Sequence, residues 1–99
     1  MRLTLQERHL IREIVQRRFG HQAQVWLFGS RTDDQARGGD IDLLVHSPAP
    51  IESDLRAALG LESELQDALG DQKIDILFTY PGYAETPLHR IARTTGIRL

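Results

Sequence analysis

The chain has 99 residues, a formal net charge of −2 and no cysteine. Disulfides and thiolate metal sites are thereby excluded, and with a pI near 6.0 no global basic field would attract nucleic acid. The length suits one domain, residues 1–99, which buries roughly 65% of the surface of its unfolded form: enough for one sheet with helices, not for a second lobe. The first residues lack an apolar signal core, and no apolar run approaches membrane-spanning length. The expected location is the cytoplasm.

In chain order, Thr4-Leu5-Gln6-Glu7 reads as a capping box, with Thr4 as N-cap and Glu7 reaching back. Leu10, Ile11, Ile14, Val15 and Phe19 follow at helical spacing and Gly20 ends the run, so the first helix spans about 5–19. Arg17 and Arg18 near its end complement the helix dipole. Val25-Trp26-Leu27-Phe28 is a short, continuous apolar run, read as a buried strand that stops at Gly29. Ser30 to Ala36 reads as one or two helical turns with Ser30 as the cap, and Asp33 and Asp34 as solvated turn residues. Arg37-Gly38-Gly39 then leads into a strand over about 40–46. The connection is too short for a long crossover helix, so the two strands are expected to be antiparallel.

Ser47-Pro48-Ala49-Pro50 is a stop. Leu55, Ala58, Leu59, Glu62, Leu65 and Leu69 form a second helical stripe ending at Gly70, with a kink or break expected at Gly60. Lys73 to Phe78 is the third strand, with Ile74, Ile76 and Phe78 on one face and Asp75 and Leu77 on the other. Tyr80-Pro81-Gly82-Tyr83 is a turn. Thr86-Pro87 starts a last helix as N-cap and N1, with Leu88, Ile91 and Ala92 inward and Gly96 at its end. The expected fold is α/β in the α+β sense: a small mixed sheet of about three strands flanked by helices.

The chemistry concentrates between Leu27 and Val45. Period-two alternation puts Asp40 and Asp42 on one face of their strand and Ile41, Leu43 and Val45 on the other. Two like charges on an otherwise apolar strand are destabilising unless a cation lies between them, and hard divalent cations with oxygen ligands meet that need. A polar strand start on a solvent face is the alternative, and it suits Ile-Leu-Leu-Val poorly. Gly29-Ser30 offers a close backbone approach, a hydroxyl and free N–H groups, which suit phosphate. As a lone Ser-Gly pair it would be ordinary turn chemistry. Asp75 lies between two isoleucines, where aspartate is depleted, and is a candidate third carboxylate. Arg31 either neutralises a phosphate oxygen or is a solvated helix residue, and Arg37 is similar. His9, His21, His46 and His89 lack ligand spacing. Tyr80 and Tyr83 either contact a base or a partner or pack at the core's rim.

Gly29-Ser30, nine residues, then Asp40-Ile41-Asp42, with Asp75 downstream, resembles the signature of the polymerase-β-like nucleotidyltransferase superfamily. Within it, Trp26-Leu27-Phe28-Gly29-Ser30-Arg31 and Gly39 to Val45 look like the minimal nucleotidyltransferases, short prokaryotic proteins often encoded beside a helical HEPN-domain partner. The resemblance implies the polymerase-β-like fold and two Mg²⁺ ions held by Asp40, Asp42 and Asp75. It implies ATP as substrate, with Gly29, Ser30 and Arg31 at the triphosphate. The implied reaction is attack of a hydroxyl on the α-phosphorus with loss of pyrophosphate. Family members act as antitoxins that transfer AMP to a tyrosine of a HEPN ribonuclease. A non-catalytic toxin-binding module is the alternative; a third reading is transfer to an RNA 3′ end or to a small-molecule hydroxyl. Without a basic groove, direct binding of long nucleic acid is not expected.

Overall fold

A computed structural model describes residues 3–29, 41–83 and 85–99. Helix α1 runs Leu5–Phe19, strand β1 Gln24–Phe28, strand β2 Ile41–His46, helix α2 Asp54–Leu69, strand β3 Ile74–Thr79, helix α3 Pro87–Thr95 and strand β4 Ile97–Arg98. The strands form one mixed sheet in the order β3-β2-β1-β4, with β1 antiparallel to both β2 and β4, and β2 parallel to β3. The antiparallel expectation for the first two strands therefore holds, and the sheet is α+β as expected, with a fourth strand. The expected helical turns over Ser30 to Ala36, and the readings of Asp33, Asp34 and Arg37, fall outside the described residues. No helix among the described residues is long and apolar enough to cross a membrane.

Local chemistry sets the helix ends. Thr4 Oγ1 accepts from the Glu7 amide at 3.0 Å while the Glu7 carboxylate accepts from the Thr4 amide at 3.0 Å, closing the capping box that starts α1. Thr86 caps α3 with Pro87 in its first turn, as read from the sequence. The end of α3 rests on β1: a Cβ on Gly96 would lie 2.9 Å from the Leu27 carbonyl and 3.4 Å from the Trp26 Cβ. Only glycine lets the chain turn there and send Ile97 and Arg98 back along β1.

The sheet's two faces differ. Val25, Leu27, Ile41, Leu43, Val45, Ile74 and Phe78 are buried with Ile11, Ile14 and Val15 of α1 and Leu61 and Leu65 of α2, forming the main core. On the other face, α3 lies over β1 and β2, with Ala92 and Leu44 fully buried. Side chains on this second face fall into rows set by the register. Phe28, Asp42 and Asp75 make one row; Trp26, Leu44 and Leu77 the next; Gln24, His46 and Thr79 the third. The third row is tied by a 2.8 Å hydrogen bond between His46 Nδ1 and Thr79 Oγ1.

Two helices turn differently from their sequence stripes. In α2 the buried residues are Leu61 and Leu65, whereas Leu55 and Leu59 are 70% and 58% exposed. Leucine recurs all around this helix, and contact with α1 and β3 selects the face. In α3, Ala92 is inward but Ile91 is 57% exposed, because Gly96 brings the helix so close to β1 that the inner position admits only a small side chain. The side chain of Leu88 lies outside the described residues. Helix α2 runs unbroken through Gly60, against which the Arg18 guanidinium lies on its way to Glu64, 2.8 Å from Nη1. Arg17 pairs with the same carboxylate, so both arginines bridge α1 to α2.

Candidate active site

The site is built where β1 ends and β2 begins. Phe28 is paired with Asp42, so Gly29, the next residue, leaves the sheet beside that aspartate. Gly29 has a φ of +76°, in the left-handed region where a side chain is disfavoured. Space demands glycine as well. A Cβ here would run into Asp42 Oδ2 and lie 3.1 Å from its Cγ. The Asp42 carboxylate thus occupies the volume that any other residue at 29 would fill, and the turn and the carboxylate are shaped against each other.

Asp75 is brought to the same place by the parallel pairing of β2 and β3, which matches Asp42 to Asp75 directly. Side chains in register on neighbouring strands, ~4.8 Å apart, share a face. Asp42 is half-buried and Asp75 exposed, so the pair grades from the sheet interior to its rim. Ile41 and Leu43, on either side of Asp42, are fully buried in the opposite direction. The backbone of β2 is therefore held rigidly while the carboxylate faces the other way. This is the burial pattern that the Ile-Asp-Leu alternation predicts.

Of the six residues singled out by sequence, the structure brings Gly29, Asp42 and Asp75 together; Ser30, Arg31 and Asp40 lie outside the described residues. Two carboxylates on adjacent strands, one cradled by a glycine, are a hard oxygen donor set that fits a divalent cation such as Mg²⁺. Among the described residues, no group of three acidic, histidine or cysteine side chains gathers as a metal cage. The sequence reading treated Gly29 as a phosphate contact and missed its fit to Asp42. Only the register of β1 with β2 shows that relation.

Several of the other candidates make contacts within the chain. Tyr80 packs at the core's edge and donates to Asp54 Oδ1 at 2.7 Å. That hydrogen bond, then desolvation, then the Asp54 charge raise the Tyr80 pKa above its ordinary value. Tyr83 packs between Tyr80 and His89, tilted against the first ring and edge-on to the second, with ring centres 4.9 Å and 5.1 Å away. His9 neighbours Glu13, and His89 caps α3 from a buried position.

Against known families, residues 9–94 match the family model described as Nucleotidyltransferase domain. The three helices and the four-stranded mixed sheet found among the described residues are consistent with that family's fold, and the family's members generally use a nucleoside triphosphate and a divalent metal. No curated protein matches the chain.

Proposed function

This chain belongs to the nucleotidyltransferase domain family, and from that premise we propose that it transfers AMP from ATP to a hydroxyl of a helical HEPN-family partner, as a single-domain minimal nucleotidyltransferase acting as an antitoxin in the cytoplasm. The observation that carries the reading is the Asp42–Asp75 pair, in register on β2 and β3 with the Asp42 carboxylate seated against Gly29. Two carboxylates placed side by side on adjacent strands are an oxygen donor set for a divalent cation, which serves nucleotidyl chemistry.

Asp40, Asp42 and Asp75 would hold two Mg²⁺ ions, which when bound neutralise the triphosphate and the charge that builds on the attacking and leaving oxygens. Gly29 and Ser30 hold the β- and γ-phosphates, and Arg31 adds charge there; fixing those groups sets the line of attack. The acceptor's hydroxyl oxygen bonds to the α-phosphorus. The bond from that phosphorus to the bridging oxygen breaks, and pyrophosphate leaves with the electron pair. The hydroxyl proton passes to Asp75, whose exposure at the rim of the sheet suits a group that must meet the acceptor. Ile41 and Leu43, anchored in the core, keep Asp42 from yielding as charge moves. The acceptor is read as protein because a domain of this size, with net charge −2, has little with which to grip a nucleic acid.

The test is mass spectrometry of a HEPN-family protein, sought first among the genes that flank this one, after incubation with the chain and Mg-ATP, with Asp42→Asn as the control. The expected result is added AMP mass on a tyrosine or another hydroxyl residue, absent in the control. A partner that is silenced with its mass unchanged would replace this reading with a non-catalytic antitoxin. Label on RNA or on a small-molecule hydroxyl would keep the enzyme and reject the protein acceptor.

A further inference from the structure

Phe28 is the last residue of β1, and its partner across the sheet is Asp42. Asp42 is matched in turn to Asp75, so the three side chains form one row on the face away from the main core. Paired residues on neighbouring antiparallel strands hold their Cβ atoms about 4.5–5.5 Å apart. The phenyl ring of Phe28 therefore starts one strand spacing from the Asp42 carboxylate, on the side away from Asp75. Gly29, against which that carboxylate is seated, is the next residue in the chain.

The sheet supplies no apolar neighbour in this row. On the other side of Phe28 from Asp42, β4 pairs Ile97 with Leu27. The residue level with Phe28 there is Gly96, which has no side chain. Leu44, fully buried beneath α3, belongs to the next row, with Trp26. Phe28 is half-buried and, among the described residues, takes no part in the main core. A large aromatic ring is thus left partly open at the end of a strand, with a carboxylate on one side and a glycine on the other.

We infer that Phe28 is the wall of the nucleoside subsite: its ring packs against the sugar and base of the nucleoside triphosphate whose phosphates meet Gly29 and Ser30. The inference rests on the nucleotidyl transfer proposed above. Position assigns the ring to the nucleotide and not to the acceptor. In that reaction the acceptor meets Asp75 on β3, and Phe28 lies on the far side of Asp42 from it, beside the phosphate turn. Phosphates are charged groups that an apolar ring does not hold. A base has a π-face that stacks on an aromatic side chain. Every base has such a face, so the ring favours a nucleoside over bare phosphates without choosing sharply among bases.

Calorimetric titration of Mg-ATP and of Mg-tripolyphosphate separates the nucleoside from the phosphates. The natural chain is expected to bind both, and ATP more tightly. Phe28→Ala is expected to weaken ATP roughly tenfold or more, the scale of losing one aromatic–base stack, and to leave tripolyphosphate unchanged. Phe28→Leu keeps an apolar side chain without the ring and is expected to follow alanine, which covers the case of an alanine variant that does not fold. Phe28→Tyr keeps the ring and is expected to recover most of the ATP binding. Retained tripolyphosphate binding shows that the turn and the carboxylates are intact, which a merely structural role for Phe28 would not allow. Trp26, the only tryptophan in the chain, lies two residues before Phe28 on the same face, and its fluorescence is expected to respond to ATP more than to tripolyphosphate. ATP binding untouched in both Phe28→Ala and Phe28→Leu overturns the inference, as does a parallel loss of both ligands. A natural chain that binds neither ligand overturns the nucleotide reading and this inference with it.

Discussion

Asp42 and Asp75 stand opposite each other on parallel strands, and the carboxylate of the first fills the space that a side chain at Gly29 would take. Strand register places the pair, and the left-handed turn at Gly29 shapes one side of it. Asp42→Asn keeps the shape and removes one of two crowded charges. Transfer is expected to fall by about 10³ or more, the scale of losing a preorganised electrostatic group. Melting without metal is expected to be unchanged or to move upward, because the substitution relieves like-charge repulsion. A large fall in the metal-free midpoint would make Asp42 structural instead.

Gly29→Ala and Gly70→Ala separate strain from collision. Both positions have positive φ, +76° and +93°, but a Cβ at Gly70 meets nothing within 4 Å whereas one at Gly29 meets the Asp42 carboxylate. Each substitution is expected to cost about 1–2 kcal/mol from backbone strain, read by chemical denaturation. Gly29→Ala is expected to cost more than Gly70→Ala and to abolish transfer, while Gly70→Ala leaves transfer intact. Equal effects on both readouts would show that Gly29 acts only through its backbone angle.

The faces of α3 give a packing test. Ile91→Ala removes a mostly exposed side chain and is expected to change stability by under about 1 kcal/mol. Ala92→Leu forces bulk into a fully buried position and is expected to cost about 1–3 kcal/mol. The reverse order in urea titrations would mean that α3 is rotated about its axis.

Most of the fold was legible in the sequence because its signals are local. The Thr4–Glu7 box, the apolar run ending at Gly29, the alternation around Asp42 and Asp75, and the Thr86-Pro87 start each announce an element within a few residues. What was not legible depends on distant partners. Leucines at 55, 59, 61, 65 and 69 permit more than one inward face of α2, and α1 and β3 decide between them. Ile91 turns outward because Gly96 seats α3 tightly on β1. Strand β4, two residues long, is too short to show a period. At the site, the residue types of Asp42 and Asp75 pointed to metal chemistry, and only the family resemblance implied that they are neighbours; the residues alone do not show it, because the adjacency comes from a parallel pairing across an intervening helix.

Alkaline stability follows from Tyr80. Its pKa is raised in the folded chain, so the folded state favours the neutral phenol. That contribution is fully present below the unfolded value of 10.0 and is lost as pH rises through the higher folded value. Melting midpoints above pH 10 are expected to fall less steeply for Tyr80→Phe than for the natural chain. Parallel curves would mean that the Asp54 hydrogen bond does not bias the titration.

The central claim is that the carboxylates around Asp42 and Asp75 bind a nucleoside triphosphate through divalent metal. Calorimetric titration of ATP into the chain, with Mg²⁺ and with EDTA, tests it most directly, with Asp42→Asn and Asp75→Asn alongside. The account predicts binding with Mg²⁺ that is lost in EDTA and strongly weakened in both variants. Equal affinity with and without Mg²⁺, or binding untouched by both substitutions, would contradict it.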